Sequence, residues 1–178
     1  AALEQLEQGS QSDAAAETLL LLALAQQTQG QGETAIATYQ DALAAVRRSG
    51  FRPQEIEILY LLGGAYAAQG QQAPALAAQQ AAATLIRPSG NRLYFVGILG
   101  QIAQLQAQLG DETAALAAYD EAVAVAASLP DTEQLTLVLF NLAGYQLELG
   151  QPEPALATFQ RSLRAAEQGN NAPMIALN

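Results

Sequence analysis

Four glycines stand forty residues apart, Gly30, Gly70, Gly110 and Gly150, and the residues around each of them follow one pattern. Five positions on comes an alanine: Ala35, Ala75, Ala115, Ala155. Nine on comes Tyr39, Gln79, Tyr119, Phe159, and twelve on comes Ala42, Ala82, Ala122, Ser162. Eleven positions before each glycine stands a leucine: Leu19, Leu59, Leu99, Leu139. Eight before stands Leu22, Leu62, Ile102, Leu142, and seven before stands a small residue, Ala23, Gly63, Ala103, Ala143. A fixed period of this length marks a stacked array, in which one unit cannot bury its apolar surface alone.

Each unit reads as two helices. In the second, Ile56, Leu59, Leu62 and Tyr66 recur at helical spacing from about Pro53 to Gln69. Pro53 suits a first helical turn, where its missing N–H is no loss, and Gly70 suits a left-handed cap. A second helix runs from about Ala73 to Ile86, and Arg87-Pro88-Ser89-Gly90-Asn91 is a turn signal. The same reading gives helix pairs at 13–29 and 33–48, 93–109 and 112–128, and 133–149 and 153–168, within repeats at about 13–50, 53–90, 93–130 and 133–170. No strand-like alternation is present. The expected fold class is all-α, a right-handed α-solenoid of antiparallel helix pairs forming one array over 1–178.

Ala2-Leu3 matches Ala42-Leu43, which suggests a partial helix over 1–9 belonging to a preceding unit. Pro173 matches Pro53, which suggests a partial helix over 173–178 belonging to a following one. The ends carry apolar residues where solenoids place polar caps. The expectation is a fragment of a longer array, able to self-associate end to end or to swap a terminal helix.

Composition narrows the chemistry. Alanine (39 copies) and glutamine (23) dominate and aromatics make up only 6%, so the core must be alanine and leucine at close helix approach. The chain has no Cys, His, Trp or Lys; its seven cations are all Arg, against 17 acidic residues, for a net charge of −10. That balance argues against nucleic acid and against an anionic membrane surface. Without His, Cys or Lys the usual bases and nucleophiles are missing, so no enzyme, cofactor or metal site is expected. Asp111-Glu112 sits where a helix begins and Asp120-Glu121 on a solvated face. No signal peptide and no membrane-length apolar run is visible, which points to the cytoplasm, although a leader could be missing.

The repeated positions resemble the tetratricopeptide repeat signature, W-x₂-L-G-x₂-Y followed by A-x₃-F and A. The second unit reads Leu59-x₂-Leu62-Gly63-x₂-Tyr66, Gly70, Ala75, Ala82; the fourth reads Leu139-x₂-Leu142-Ala143-x₂-Gln146, Gly150, Ala155, Phe159, Ser162. The resemblance covers the whole chain, with two departures. The period is forty rather than thirty-four, as in kinesin light chain, polarity adaptors and bacterial signalling proteins, and Gln26, Gln106 and Gln146 replace the usual tyrosine. The resemblance implies that the first helix of each pair lines a concave groove that binds a peptide or helix of a partner protein. The carried-over groove positions are Glu17, Leu20, Leu24 and Gln27; Glu57, Tyr60, Gly64 and Ala67; Gly97, Gly100, Gln104 and Gln108; and Leu137, Phe140, Asn141, Gly144 and Glu148.

That set contains no cation, so the family's clamp for chaperone carboxylates is not expected. Its glycines, Gly64, Gly97, Gly100 and Gly144, each cost about 1 kcal/mol in a helix relative to alanine. Either the helices pack closely there, or room is kept for a partner's side chains, with Tyr60 and Phe140 as apolar anchors flanking Gly100. Asn141 fits a position that grips a peptide backbone in related arrays. A second surface is an arginine edge, Arg47, Arg48, Arg52, Arg87 and Arg92, suited either to helix dipoles or to an acidic partner. The leading expectation is a protein-interaction scaffold. The alternatives are a regulatory sensor arm of a signalling protein, binding a small ligand or signalling peptide, and a structural spacer.

Overall fold

The alanine and glutamine bias gives helix throughout. The computed structural model describes the chain from residue 2 to 175, with side chains from 11 to 169, and among these residues it holds α-helices and one short 3-10 turn. The chain divides into two compact units, Ala1–Ser89 and Gly90–Asn178, each built from two antiparallel helix pairs. The first contains α1 (Ala2–Thr28) with α2 (Gly32–Ser49), then α3 (Arg52–Ala68) with α4 (Gln72–Ile86), closed by a 3-10 turn at Arg87–Ser89. The second contains α5 (Arg92–Gln108) with α6 (Glu112–Ala126), then α7 (Glu133–Glu148) with α8 (Pro152–Ile175).

The period is written into the turns. Gly30, Gly70, Gly110 and Gly150 all have φ between 70° and 80°, a left-handed conformation that a side chain would strain. At each, the glycine N–H donates to the carbonyl three residues back, and the next N–H donates to the carbonyl five back: Gln31 to Gln26, Gln71 to Tyr66, Asp111 to Gln106 and Gln151 to Gln146, at 2.9–3.0 Å. This is the Schellman closure, which satisfies carbonyls that the helix end leaves open. Gly50 caps α2 with φ of 76°, and Gly90, with the same φ, follows the 3-10 turn after α4. Where Pro130 replaces a glycine, the turn closes through N–H donation from Ala127, Ser128 and Leu129 to Val123, Val125 and Ala126. Asn91 and Asp111 cap the following helices, accepting from the N–H groups of Tyr94 and Ala114.

The ends depart from the repeat pattern. The expected breaks near 10–12 and 169–172 are absent: α1 runs unbroken from Ala2 and α8 to Ile175. Positions 10 and 170 hold Ser and Asn where the repeat elsewhere has Gly50 and Gly90, and among the described residues only glycine takes a positive φ. Neither the left-handed glycine of Gly50 and Gly90 nor the proline of Pro130 is present there to end the helix. Residues 176–178 of the expected last helix lie outside the described residues.

The core follows the pattern. Ala35, Ala75, Ala115 and Ala155 are fully buried, as are Ala23, Ala103 and Ala143 on the facing helices, so paired backbones approach closely. Nine positions after the turn glycine, three units carry an aromatic ring: Tyr39, Tyr119, Phe159. The second unit differs on both sides. Gln79 replaces the ring, is fully buried and donates to the Tyr60 carbonyl at 3.0 Å. Gly63 replaces the alanine, and a Cβ there would run into the Gln79 amide. One exception makes room for the other.

Candidate partner-binding site

The first helix of each pair carries a stripe at positions spaced three and four apart, one helix face. In the first unit it holds Leu20 and Leu24 on α1, then Tyr60 and Gly64 on α3. Leu20 corrects the expectation: it is buried, lying between fully buried Ala16 and Ala23 at i−4 and i+3, and belongs to the core. Leu24 and Tyr60 are half-buried. In the second unit the stripe holds Gly97, Gly100 and exposed Gln104 on α5, with Leu137, Phe140, Asn141 and Gly144 on the adjoining α7. Asn141 is half-buried and makes no hydrogen bond among the described residues.

The stripe glycines have no packing role of the kind Gly63 has. A Cβ built at Gly64, Gly97, Gly100 or Gly144 meets nothing within 4 Å. Close helix packing is therefore not the reason for these four.

Phe140 and Leu137, both exposed, also face α8. The Phe140 ring meets Phe159 of α8 edge-on, centroids 5.6 Å apart at 67°. Phe140 and Leu137 line a hollow of about 570 Å³ between α7 and α8, with Thr136, Ser162, Ala166 and Gly169. Ser162 donates to the Thr136 carbonyl at 2.8 Å across its floor. The α8 side of this hollow is not legible in the sequence. Ser162 occupies a position whose mates, Ala42, Ala82 and Ala122, are core, so the pattern marks it as core too.

Charge around the stripe is negative. In the second unit the Tyr119 and Tyr145 rings lie 5.9 Å apart at 36°. Burial, then the carboxylate of Glu148, then Tyr145 push the Tyr119 hydroxyl up to about 12. Tyr145 is also raised, by burial and then by Glu112, Glu148 and Asp111. These carboxylates set a field that disfavours anions at this end of the stripe.

The arginines are partly engaged. Arg47 Nε donates to Glu55 Oε1 at 2.7 Å, joining α2 to α3. Arg92 donates to Ser128 Oγ at 3.0 Å. Arg48 and Arg52 are exposed and make no ion pair among the described residues, and Arg87 is exposed in the 3-10 turn. Among the described residues no helix is long and apolar enough to cross a membrane.

Helix pairs closed by repeated Schellman turns, with bare glycines along α3, α5 and α7, define a helical-repeat array. A tetratricopeptide repeat model matches residues 2–87 and 95–168. The chain belongs to the tetratricopeptide repeat family, whose arrays serve as protein–protein interaction scaffolds. Among solved structures it is similar to BtubC (BKLC) from P. vanneervenii, at 18% identity and a TM-score of 0.80 over 89% of this chain and 66% of that one. It is similar to a putative kinesin light chain of Podosopora anserina with nearly identical TPR-like repeats, at 16% identity and a TM-score of 0.77 over 88% and 77%. The apo form of RapI matches at 15% identity and a TM-score of 0.79, over 88% of this chain and 44% of that one. The chain thus spans just under two thirds of BtubC and less than half of RapI. No curated protein matches.

Proposed function

We propose that, within each unit, the first-helix stripe is a binding surface for an extended or helical segment of a partner protein, apolar and without net negative charge. One observation carries the reading: Gly64, Gly97, Gly100 and Gly144 sit inside helices, each costing about 1 kcal/mol relative to alanine, while facing open space. The fold gains nothing from them, and a bare backbone lets a ligand come closer than any side chain would. Tyr60 and Leu24 offer apolar contact in the first unit, and Asn141 offers an amide for a peptide backbone in the second. Glu148, Asp111 and Glu112 favour a neutral or basic segment.

The test uses peptides selected from a displayed random library against the whole chain. Selected peptides should lack acidic clusters. Their affinity should fall about tenfold or more, ~1.4 kcal/mol, when Gly100→Leu or Gly144→Leu fills the stripe. It should be nearly unchanged by Arg48→Glu with Arg52→Glu. Acidic peptides that ignore the glycine substitutions and lose binding on arginine reversal would move recognition to the arginine edge and overturn the reading.

A further inference from the structure

The repeat shows which residues are exceptions, because each position has mates forty residues away. Position 51 stands at the start of the first helix of a pair. Its mates hold that start: Asn91 accepts from the Tyr94 N–H at 3.2 Å, and Asp131 from the Glu133 N–H at 3.0 Å. Phe51 has no such oxygen, and α3 begins without a side-chain cap. A capping oxygen stabilises a helix start, so the fold gives up a favourable contact here. The core does not claim the ring either, which is 51% exposed. Asn91 and Asp131 are exposed too, so the position is open in both units and owes its exposure to neither the first nor the last helix. Arg48 and Arg52 flank the ring, both exposed and without an ion pair among the described residues, while Glu55 holds Arg47. In a chain of net charge −10, this corner of the first unit presents an aromatic ring between two guanidinium groups.

A second set of exceptions has the opposite sign. At the turn between α5 and α6, Asp111 stands where the other turns have Gln31, Gln71 and Gln151, and Glu112 where they have Gly32, Gln72 and Pro152. At the end of α7, Glu148 stands where the other first helices have Thr28, Ala68 and Gln108. All three carboxylates bear on the Tyr145 hydroxyl, which gathers them around one point of the second unit. Leu109, in the same turn, is 47% exposed where Gln29 and Gln69 stand elsewhere. Ala68 and Gln108 are as open as their mate Glu148, and Gln69 as open as Leu109, so this surface also owes its exposure to neither end of the chain.

We propose that the Phe51 corner of one copy of this chain docks on the Leu109 turn of another, the ring against Leu109 and Arg48 and Arg52 against Glu112 and Glu148. The occupant is a second copy because the chain itself supplies both halves, an apolar side chain flanked by cations and one flanked by carboxylates. Aromatic and arginine side chains are the usual anchors of protein contacts, and opposite charge selects which surfaces meet. The stripe glycines take no part, so this contact and binding at the stripe can each fail without the other.

The experiment is sedimentation of the whole chain over a wide concentration range. The wild-type mass should rise with concentration above the 18.6 kDa of one chain. Arg48→Glu with Arg52→Glu should hold at one chain's mass, and so should Glu112→Arg with Glu148→Arg. The second variant has the smaller net negative charge, so general repulsion alone would make it assemble more readily than the wild type, whereas loss of the contact makes it assemble less. An equimolar mixture of the two variants should assemble again, because each reversed surface meets its reversed counterpart. Phe51→Asn should abolish the rise while raising the thermal midpoint, since it restores the cap that the mates provide. The substituted side chains are exposed and Asp111 keeps its bond from the Ala114 N–H, so every variant should keep the wild-type helical signal. A wild-type chain that stays monomeric throughout overturns the proposal. So does assembly that survives in either charge-reversed variant or in Phe51→Asn, or a mixture that stays at one chain's mass.

Discussion

Gly63 and Gly64 are neighbours inside α3, and helix propensity gives both the same value. The structure gives them opposite roles. Gly64→Ala places a methyl group in open space and removes backbone entropy from the unfolded chain. It should stabilise by about 1 kcal/mol, the intrinsic difference between the two residues in a helix. Gly63→Ala gains the same propensity but drives its methyl into the Gln79 amide. Gln79 is fully buried and holds the Tyr60 carbonyl at 3.0 Å, so its amide cannot swing into water. Losing that bond in a buried site costs about 1–3 kcal/mol. The net for Gly63→Ala is a change between roughly zero and a loss of about 2 kcal/mol, and the two alanines should differ by about 1–3 kcal/mol. Urea unfolding followed by circular dichroism measures both, with the slope expected to stay constant. A cycle adds a second check. Gln79→Tyr restores the ring that the other units carry there, so Gly63→Ala should be better tolerated in that background, a coupling of the size expected for residues in contact. Two results would refute this account: a Gly64→Ala variant that is destabilised, or two equivalent alanines with no coupling between Gln79→Tyr and Gly63→Ala.

Alkaline pH should unfold the protein through its buried tyrosines. The folded Tyr119 hydroxyl is raised to about 12 and the unfolded one sits near the ordinary value of 10.0, so its contribution is intact below about pH 10 and lost as pH rises toward about 12. The loss is at most about 2–3 kcal/mol, and tyrosinate absorption read alongside urea unfolding checks it. Leu139→Ala, in a fully packed position, should cost about 2–5 kcal/mol, whereas Leu163→Ala on the exposed side of α8 should stay within about 0.5 kcal/mol; thermal unfolding separates them. Glu55→Gln should cost no more than about 1 kcal/mol, and less in high salt, because its Arg47 partner is largely solvated.

The forty-residue period makes the helix pairs, the glycine turns and most core positions legible in the sequence, because turn chemistry and apolar spacing are local. The paired exception of Gly63 and Gln79 is visible there too, as two departures in one unit. Which of two adjacent glycines is the packing one does not follow from spacing, since it depends on where the Gln79 amide turns. Leu20 falls in the groove by its register with Tyr60, Gly100 and Phe140. Register fixes the face of a helix, but a leucine at the border of that face folds down beside Ala16 and Ala23. The continuous α1 and α8 escape the pattern for a related reason. A repeat carries its breaks with it only where the turn residues recur, and positions 10 and 170 hold Ser and Asn in place of the glycine at 50 and 90 or the proline at 130. The hollow between α7 and α8 is set by how the two helices pack against each other, and no local pattern encodes that.

The contrast between alanine and glycine bears most on what the stripe does. The second helices of the pairs also expose small residues: Ala37, Ala44, Ala77, Ala117, Ala124 and Ala157 all face solvent. Wherever those helices need a short, uncharged surface position, alanine fills it. The first helices use glycine instead at Gly64, Gly97, Gly100 and Gly144, positions that have just as much room for a methyl group. Together these four glycines forgo about 4 kcal/mol at about 1 kcal/mol each, a large share of the roughly 5–15 kcal/mol that usually separates folded from unfolded. A preference for smallness or solubility would be met by alanine at lower cost. What glycine adds is an exposed backbone, with Cα–H and carbonyl groups open to direct approach. A partner segment lying against the helix at backbone distance needs that, and a surface with no partner does not. The Gly→Ala series on the stripe therefore separates the two cases in a single set of proteins. If the glycines serve a ligand, each alanine raises stability and lowers the affinity of a selected peptide. If stability rises while affinity holds, the bare backbone is not what the partner reads.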